Sequence, residues 1–195
     1  VIRALALVPW AVAGLMVGII WNLMLGQTYG VINDLLRRAG IIEMNISWFS
    51  NGSSAMLAAV IANIWRGIPF FTISYMSALS GISDDLYESA KIDGANDREI
   101  LFKIKIPMVM PSVTICTFLT LTNSFKLFDQ NVALTAGEPA NASEMLALNI
   151  YNTFYGRSGA QWKGIGQAKA AVFFLIVVVI SLIQLKFTRS KEVQQ

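Results

Sequence analysis

The sequence predicts an all-α membrane protein that crosses the bilayer several times. Three observations carry that reading. Only 14% of the 195 residues are charged, against about 25% in a soluble domain. The charges leave long gaps at residues 4–33, 44–65, 67–83, 106–125 and 170–185. These gaps are filled by Leu, Ile, Val and Ala without the strict alternation that a membrane barrel requires. A hydrocarbon core of about 30 Å takes about 20 apolar residues per helix. In lipid the backbone must satisfy its own hydrogen bonds, which favours helices. A soluble bundle of four such runs would have little surface to show to water.

In chain order, spans are expected at about residues 4–25, 54–79, 107–128 and 166–187. The first residues, "VIRALALVPW", lead straight into a span without an initiator Met or a signal-peptide pattern, so further spans are expected upstream. The segment 26–53 contains "GQTYGVINDLLRRAGIIEMN". Val31, Leu35 and Leu36 there repeat at helical spacing, while Asp34, Arg37 and Arg38 stay polar. It reads as a solvated interfacial helix or as a docking element for an external partner. The segment "TAGEPANASEMLALNIYNTFYGRSG" (135–159) reads as a loop holding a short helix.

Eight cations, Arg3, Lys91, Arg98, Lys103, Lys105, Lys186, Arg189 and Lys191, fall on one side of this topology. Six fall on the other, and the positive-inside rule makes the first side cytoplasmic. A net charge of +3, dispersed along the chain, gives no nucleic-acid surface. The single Cys116 lies inside a span and reads as a small packing residue, with no intrachain disulfide open to it.

Residues 83–107 differ from everything around them. Six of the 12 carboxylates stand between Asp84 and Glu99. Ser83 can cap a helix with Asp84 and Asp85 in its first turn, and Leu86 and Ala90 form an apolar i,i+4 pair. Gly94 can end that helix in a left-handed conformation. Asn96 can cap a second helix with Glu99 three residues on, and Ile100, Leu101 and Ile104 give it an apolar face. Pro107 comes next, and the residue before a proline is biased away from helical angles. The expected product is helix, glycine bend, helix, then re-entry to lipid. Such an elbow has no core of its own and must lie against something or be solvated.

The run Glu88–Ser89–Ala90–Lys91–Ile92–Asp93–Gly94–Ala95, with Phe102, Ile104 and Pro107 after it, resembles the "EAA" loop of the membrane subunits of binding-protein-dependent ABC importers. That pattern is EAAxxDGA, then about a dozen positions, then a proline. Ser89 departs from the usual Ala and is still small. "YGVINDLL" (29–36), Trp48, "IANIWRGIPF" (61–70), "LTAGEP" (134–139) and "LALNIYNTFY" (146–155) resemble the carbohydrate branch, that of the maltose, glycerol-phosphate and multiple-sugar permeases. Glu138 stands where that branch has the second Gly of GGP.

The resemblance implies a type I ABC importer transmembrane subunit with six core spans. It implies a coupling surface made of Glu88, Ser89, Ala90, Asp93, Gly94, Ala95 and Pro107, docking in a cleft of a separate ATPase. The implied partners are a second permease subunit in a heterodimer, two ATP-binding subunits and an extracellular or periplasmic solute-binding protein. ATP and Mg belong to the ATPase partner, and no cofactor or metal is expected in this chain. The location is a bacterial or archaeal plasma membrane. Other solutes, amino acids or peptides, are the alternative within the class.

Intramembrane polar groups mark the expected sugar route, since their burial is costly and they tend to face a cavity. They are Asn22, Asn63 and Gly67 at i,i+4, and Thr120, Asn123 and Ser124 on one arc, with Trp21 and Tyr75 as aromatic neighbours. Interhelical hydrogen bonding, worth about 0.6 kcal/mol per contact, is the alternative use for each. Arg66 stands inside a span and is expected to face a cavity or a partner.

Enzymatic readings fare poorly. The chain has no G-x-x-x-x-G-K-[ST] phosphate loop, and "GAQWKGIG" (159–166) has the wrong spacing. "GRSG" (156–159) resembles the GxSG of rhomboid proteases, but a chain without His has no Ser–His dyad. A channel has no need of the elbow.

Overall fold

The structure, a computed structural model, describes residues 7–189. Arg3, the start of the 4–25 span and Lys191 lie outside the described residues. Among the described residues the elements are all helical: α1 (Val8–Ala11), α2 (Gly14–Met24), α3 (Val31–Arg38), α4 (Gly52–Ser80), α5 (Asp84–Ile92), α6 (Asp97–Phe125), α7 (Asp129–Leu134), α8 (Leu146–Tyr155) and α9 (Ala160–Arg189). Three of these, α4, α6 and α9, are long and apolar enough to cross a membrane.

The span expected over 4–25 is different. Its described part is two pieces, α1 and the 11-residue α2, parted by extended backbone at Val12 (ψ 131°) and Ala13 (ψ 144°). Pro9 in the first turn of α1, and a β-branched Val12 two residues before Gly14, make this the cheapest place to interrupt the helix. Interior prolines are tolerated elsewhere: Pro69 lies inside α4, and Pro107 and Pro111 inside α6.

The described residues form two compact units, 7–69 with 125–173 and 70–124 with 174–189. In the first, Val17 and Trp21 of α2 and Leu25 at its C-cap recur every four residues. They pack on Ala58, Ala59 and Ala62 of α4 and on Leu134 of α7. The alanines let the backbones approach closely, the usual device where lipid removes the hydrophobic drive between helices. Trp21 meets Trp65 edge to face at 6.0 Å. A Cβ on Gly18 would stand 2.6 Å from Ala133 Cβ, so only glycine lets α7 lie against α2.

Two buried asparagines tie the long connections of this unit. Asn33 donates to Ile46 O (2.9 Å) and accepts from Ile46 N and Trp48 Nε1 (both 3.2 Å). Asn131 donates to Ser143 O (2.9 Å) and accepts from Met145 N (3.0 Å). Each amide stands in for a peptide group and satisfies backbone that has no helix to do so. The amphipathic α3 turns Asn33 inward and leaves Val31 and Leu35 exposed. Its charges are paired on the helix itself, Asp34 with Arg37 at 3.5 Å and with Arg38 at 2.8 Å.

In the second unit Ile82 and Ile100 are buried under the elbow, and Val109, Thr114 and Cys116 are buried along α6. The elbow's second helix does not end before the span. α6 is continuous from Asp97 to Phe125 and passes through a π-helical turn at Leu101–Lys105. There Ile106 N–H bonds to Leu101 O, five residues back. The wider turn comes just before Pro107, and Ile106 keeps helical angles (φ −61°, ψ −50°) despite the proline after it. The expected break at Pro107 is therefore replaced by a bulge.

Candidate functional site

The first arm of the elbow begins at Ser83, whose hydroxyl accepts from Asp85 N (3.2 Å). Asp84 and Asp85 stand at the positive end of α5 and Lys91 at its negative end, as the helix dipole favours. The arm ends in a Schellman motif. Gly94 N–H bonds to Lys91 O (3.1 Å) and Ala95 N–H to Ala90 O (2.9 Å). Gly94 adopts φ +82°, a left-handed conformation, and its surroundings are open: an added Cβ would meet nothing within 4 Å. The requirement for glycine there is conformational, with no steric part.

The second arm opens on a reciprocal cap. Glu99 N–H donates to Asn96 Oδ1 (3.0 Å), and Asn96 N–H donates to Glu99 Oε2 (3.1 Å). Lys103 Nζ donates to Glu99 Oε1 at 2.9 Å. Glu99 lies ahead of the uncharged run that begins at Ile106. The hydrogen bond from Lys103, then that from Asn96 N–H, hold its carboxyl below the ordinary value. Lys105 Nζ lies 5.1 Å from the centre of the Tyr87 ring and so braces one arm against the other.

The bend leaves a shallow concavity of about 340 Å³, lined by Asp93, Gly94, Ala95, Glu99, Ile100, Lys103 and Ile104. Around it Ile92 (84% exposed), Phe102 (66%), Leu101 and Leu86 present apolar groups beside the exposed Glu88, Ser89 and Asp93. Ala90 and Ala95 are half-buried at the joint, and so is Pro107, further along α6. The elbow thus sets carboxylates beside an exposed ridge of Ile and Phe.

The polar residues expected along the sugar route fall in separate units. In the first, Asn22 Nδ2 donates to Leu134 O (2.7 Å) and so joins α2 to α7. Asn63 is half-buried on α4, one turn from Gly67. In the second, Thr120 and Ser124 return their hydroxyl protons to Cys116 O and Thr120 O (both 2.7 Å), which leaves only their oxygen lone pairs free, and Asn123 is exposed on the same helix. Asn33 and Asn131 were not among the residues singled out from the sequence. Their main-chain partners at Ile46, Ser143 and Met145 lie 12 to 14 residues away, and no local pattern marks them.

The chain is 39% identical over 186 residues to the "Probable starch degradation products transport system permease protein AmyD" of Thermoanaerobacterium thermosulfurigenes, with 95% of this chain and 61% of that protein covered. It is 34% identical to the "Trehalose/maltose transport system permease protein MalF" of Thermococcus litoralis, covering 97% and 62%. It therefore spans just over three-fifths of the length of these relatives. Its fold matches a crystal structure of a bacterial ABC transporter involved in the import of the acidic polysaccharide alginate, with a TM-score of 0.81 and 21% identity, covering 97% of this chain and 65% of that one. Residues 1–192 match the model of one family. The chain is a multi-pass membrane protein and belongs to the family of binding-protein-dependent transport system inner membrane components.

Proposed function

We propose that the chain is a permease subunit of an ATP-driven, binding-protein-dependent sugar importer. It forms half of the translocation pathway and takes its drive from a separate ATPase. The observation that carries the coupling role is the elbow itself: a Schellman stop at Gly94 backed by an Asn96–Glu99 capping box, with Ile92 and Phe102 exposed beside Glu88. These residues and the matched Asp93–Gly94–Ala95 make a preformed plug whose ordering cost is met before docking. The plug engages a cleft on the ATPase, where Glu88 meets a basic or polar group. ATP and Mg are held by that partner.

The relatives' names support sugars as the solute. Within the first unit the Asn63 amide suits a saccharide hydroxyl, with Gly67 leaving room beside it, and Asn22, already spent on α7, shapes the wall; within the second, the Asn123 amide and the Thr120 and Ser124 oxygens do the same. A second permease subunit and an external solute-binding protein complete the complex. The test is purification of the full-length chain from its native membrane through an affinity tag. Co-purification of an ATPase whose turnover rises with a saccharide-loaded binding protein is the expected result. A chain that brings no ATPase, or an ATPase stimulated only by amino acids or peptides, overturns the coupling role or the solute class respectively.

A further inference from the structure

We propose that Arg66 and Asp129 close into an ion pair that fixes α7 to α4 across the gap left by Gly14 of α2; in this structure the two side chains stand apart on either side of that gap, with Asp129 exposed and Arg66 half-buried. Arg66 is the only ionisable side chain between Glu43 and Asp84 apart from the phenol of Tyr75. It is the middle residue of the 29-residue α4. At 1.5 Å per residue it stands about 21 Å from either end, further than an arginine side chain reaches toward water. A guanidinium in the middle of a span is costly unless it meets water in a cavity or an opposite charge, and a carboxylate stands near this one.

The partner is identified by one point in space. A Cβ built on Gly14 would lie 3.6 Å from Arg66 Nη1 and 3.7 Å from Asp129 Cβ. The guanidinium and the root of the carboxylate side chain therefore flank the same atom-sized gap. Asp129 is the first residue of α7 and the first carboxylate after Glu99. The backbones around the gap are held. Gln130 Nε2 donates to Ala59 O (3.1 Å), Asn22 Nδ2 donates to Leu134 O, and Gly18 packs directly on Ala133. With α2, α4 and α7 fixed in this way, rotation of the two side chains is the motion that makes or breaks the pair. Gly14 keeps the space clear, and any larger residue there is a wedge.

This inference rests on the chain's being a membrane protein and not on the solute or the ATPase, so its readout needs neither. The full-length chain is purified in detergent within its native complex, and the thermal midpoint is followed by intrinsic tryptophan fluorescence. Arg66→Met and Asp129→Asn each lower the midpoint by several degrees. The double variant Arg66→Met/Asp129→Asn falls no further than the worse single, because no unpaired charge remains. Gly14→Leu reproduces the single-variant loss. Where a single variant fails to accumulate in the membrane, accumulation is scored in place of the midpoint, and the second substitution restores it. Additive losses in the double variant overturn the pair. So does a loss confined to Arg66 variants with Asp129→Asn unchanged, the pattern expected of an arginine that contacts solute alone.

Discussion

Gly94 isolates a conformational demand from a packing one. Its φ of +82° costs an L-residue roughly 1–2 kcal/mol, while the space around it is empty. On the coupling role proposed above, Gly94→Val is therefore expected to abolish most ATP-driven uptake in proteoliposomes while membrane yield stays within about twofold of wild type. Gly94→Asn, which tolerates left-handed angles, should keep more of the uptake. Asn131 makes the opposite case. Removing its amide in Asn131→Ala strands Ser143 O and Met145 N, so a loss of about 2–4 kcal/mol in unfolding stability is expected, measurable by thermal melting of the purified complex. Gly94 was legible in the sequence because its chemistry is local: a carboxylate-rich helix, a stop, then a cap. Asn131 was not, because nothing near it in sequence tells a buried amide from a solvated one.

At the level of elements, capping grammar predicts both arms of the elbow, and proline grammar misjudges their junction with the span. Asn96 and Glu99 form the reciprocal cap that their spacing announces. Asn96→Ala should cost about 1 kcal/mol of local helix stability, seen as faster amide exchange over Asp97–Lys103 with no change elsewhere. Pro107 is expected to part the elbow from the span, but a π-turn absorbs it. That turn holds one residue more than an α-turn. Inserting one alanine after Met108, beyond that turn, should rotate the elbow by about 100° relative to the rest of the span. Transport should then be lost with helix content unchanged by circular dichroism. The interruption at Val12–Ala13 was likewise hidden, since an apolar run reports where lipid-compatible residues lie but not whether one helix threads them all.

For the whole molecule, exposed apolar surface is the dominant fact. Only 6% of the most apolar window of α9 is buried, and Phe174, Leu175 and Leu182 are each at least 60% exposed. Leu175→Lys, near the middle of the span, should impair insertion by about 2.5–3.5 kcal/mol, read as a loss of membrane-integrated chain. Leu101→Lys, at 43% exposure on the elbow, should insert normally and weaken only partner binding. The continuity of α6 sets the scale of any movement between these surfaces. With 29 residues it is a rod about 43 Å long. A tilt of about 10° imposed at its charged tip swings the opposite tip by about 7 Å, more than a full helical turn. A displacement too small to open a crevice at one end thus becomes, by leverage alone, the width of a sugar ring at the other.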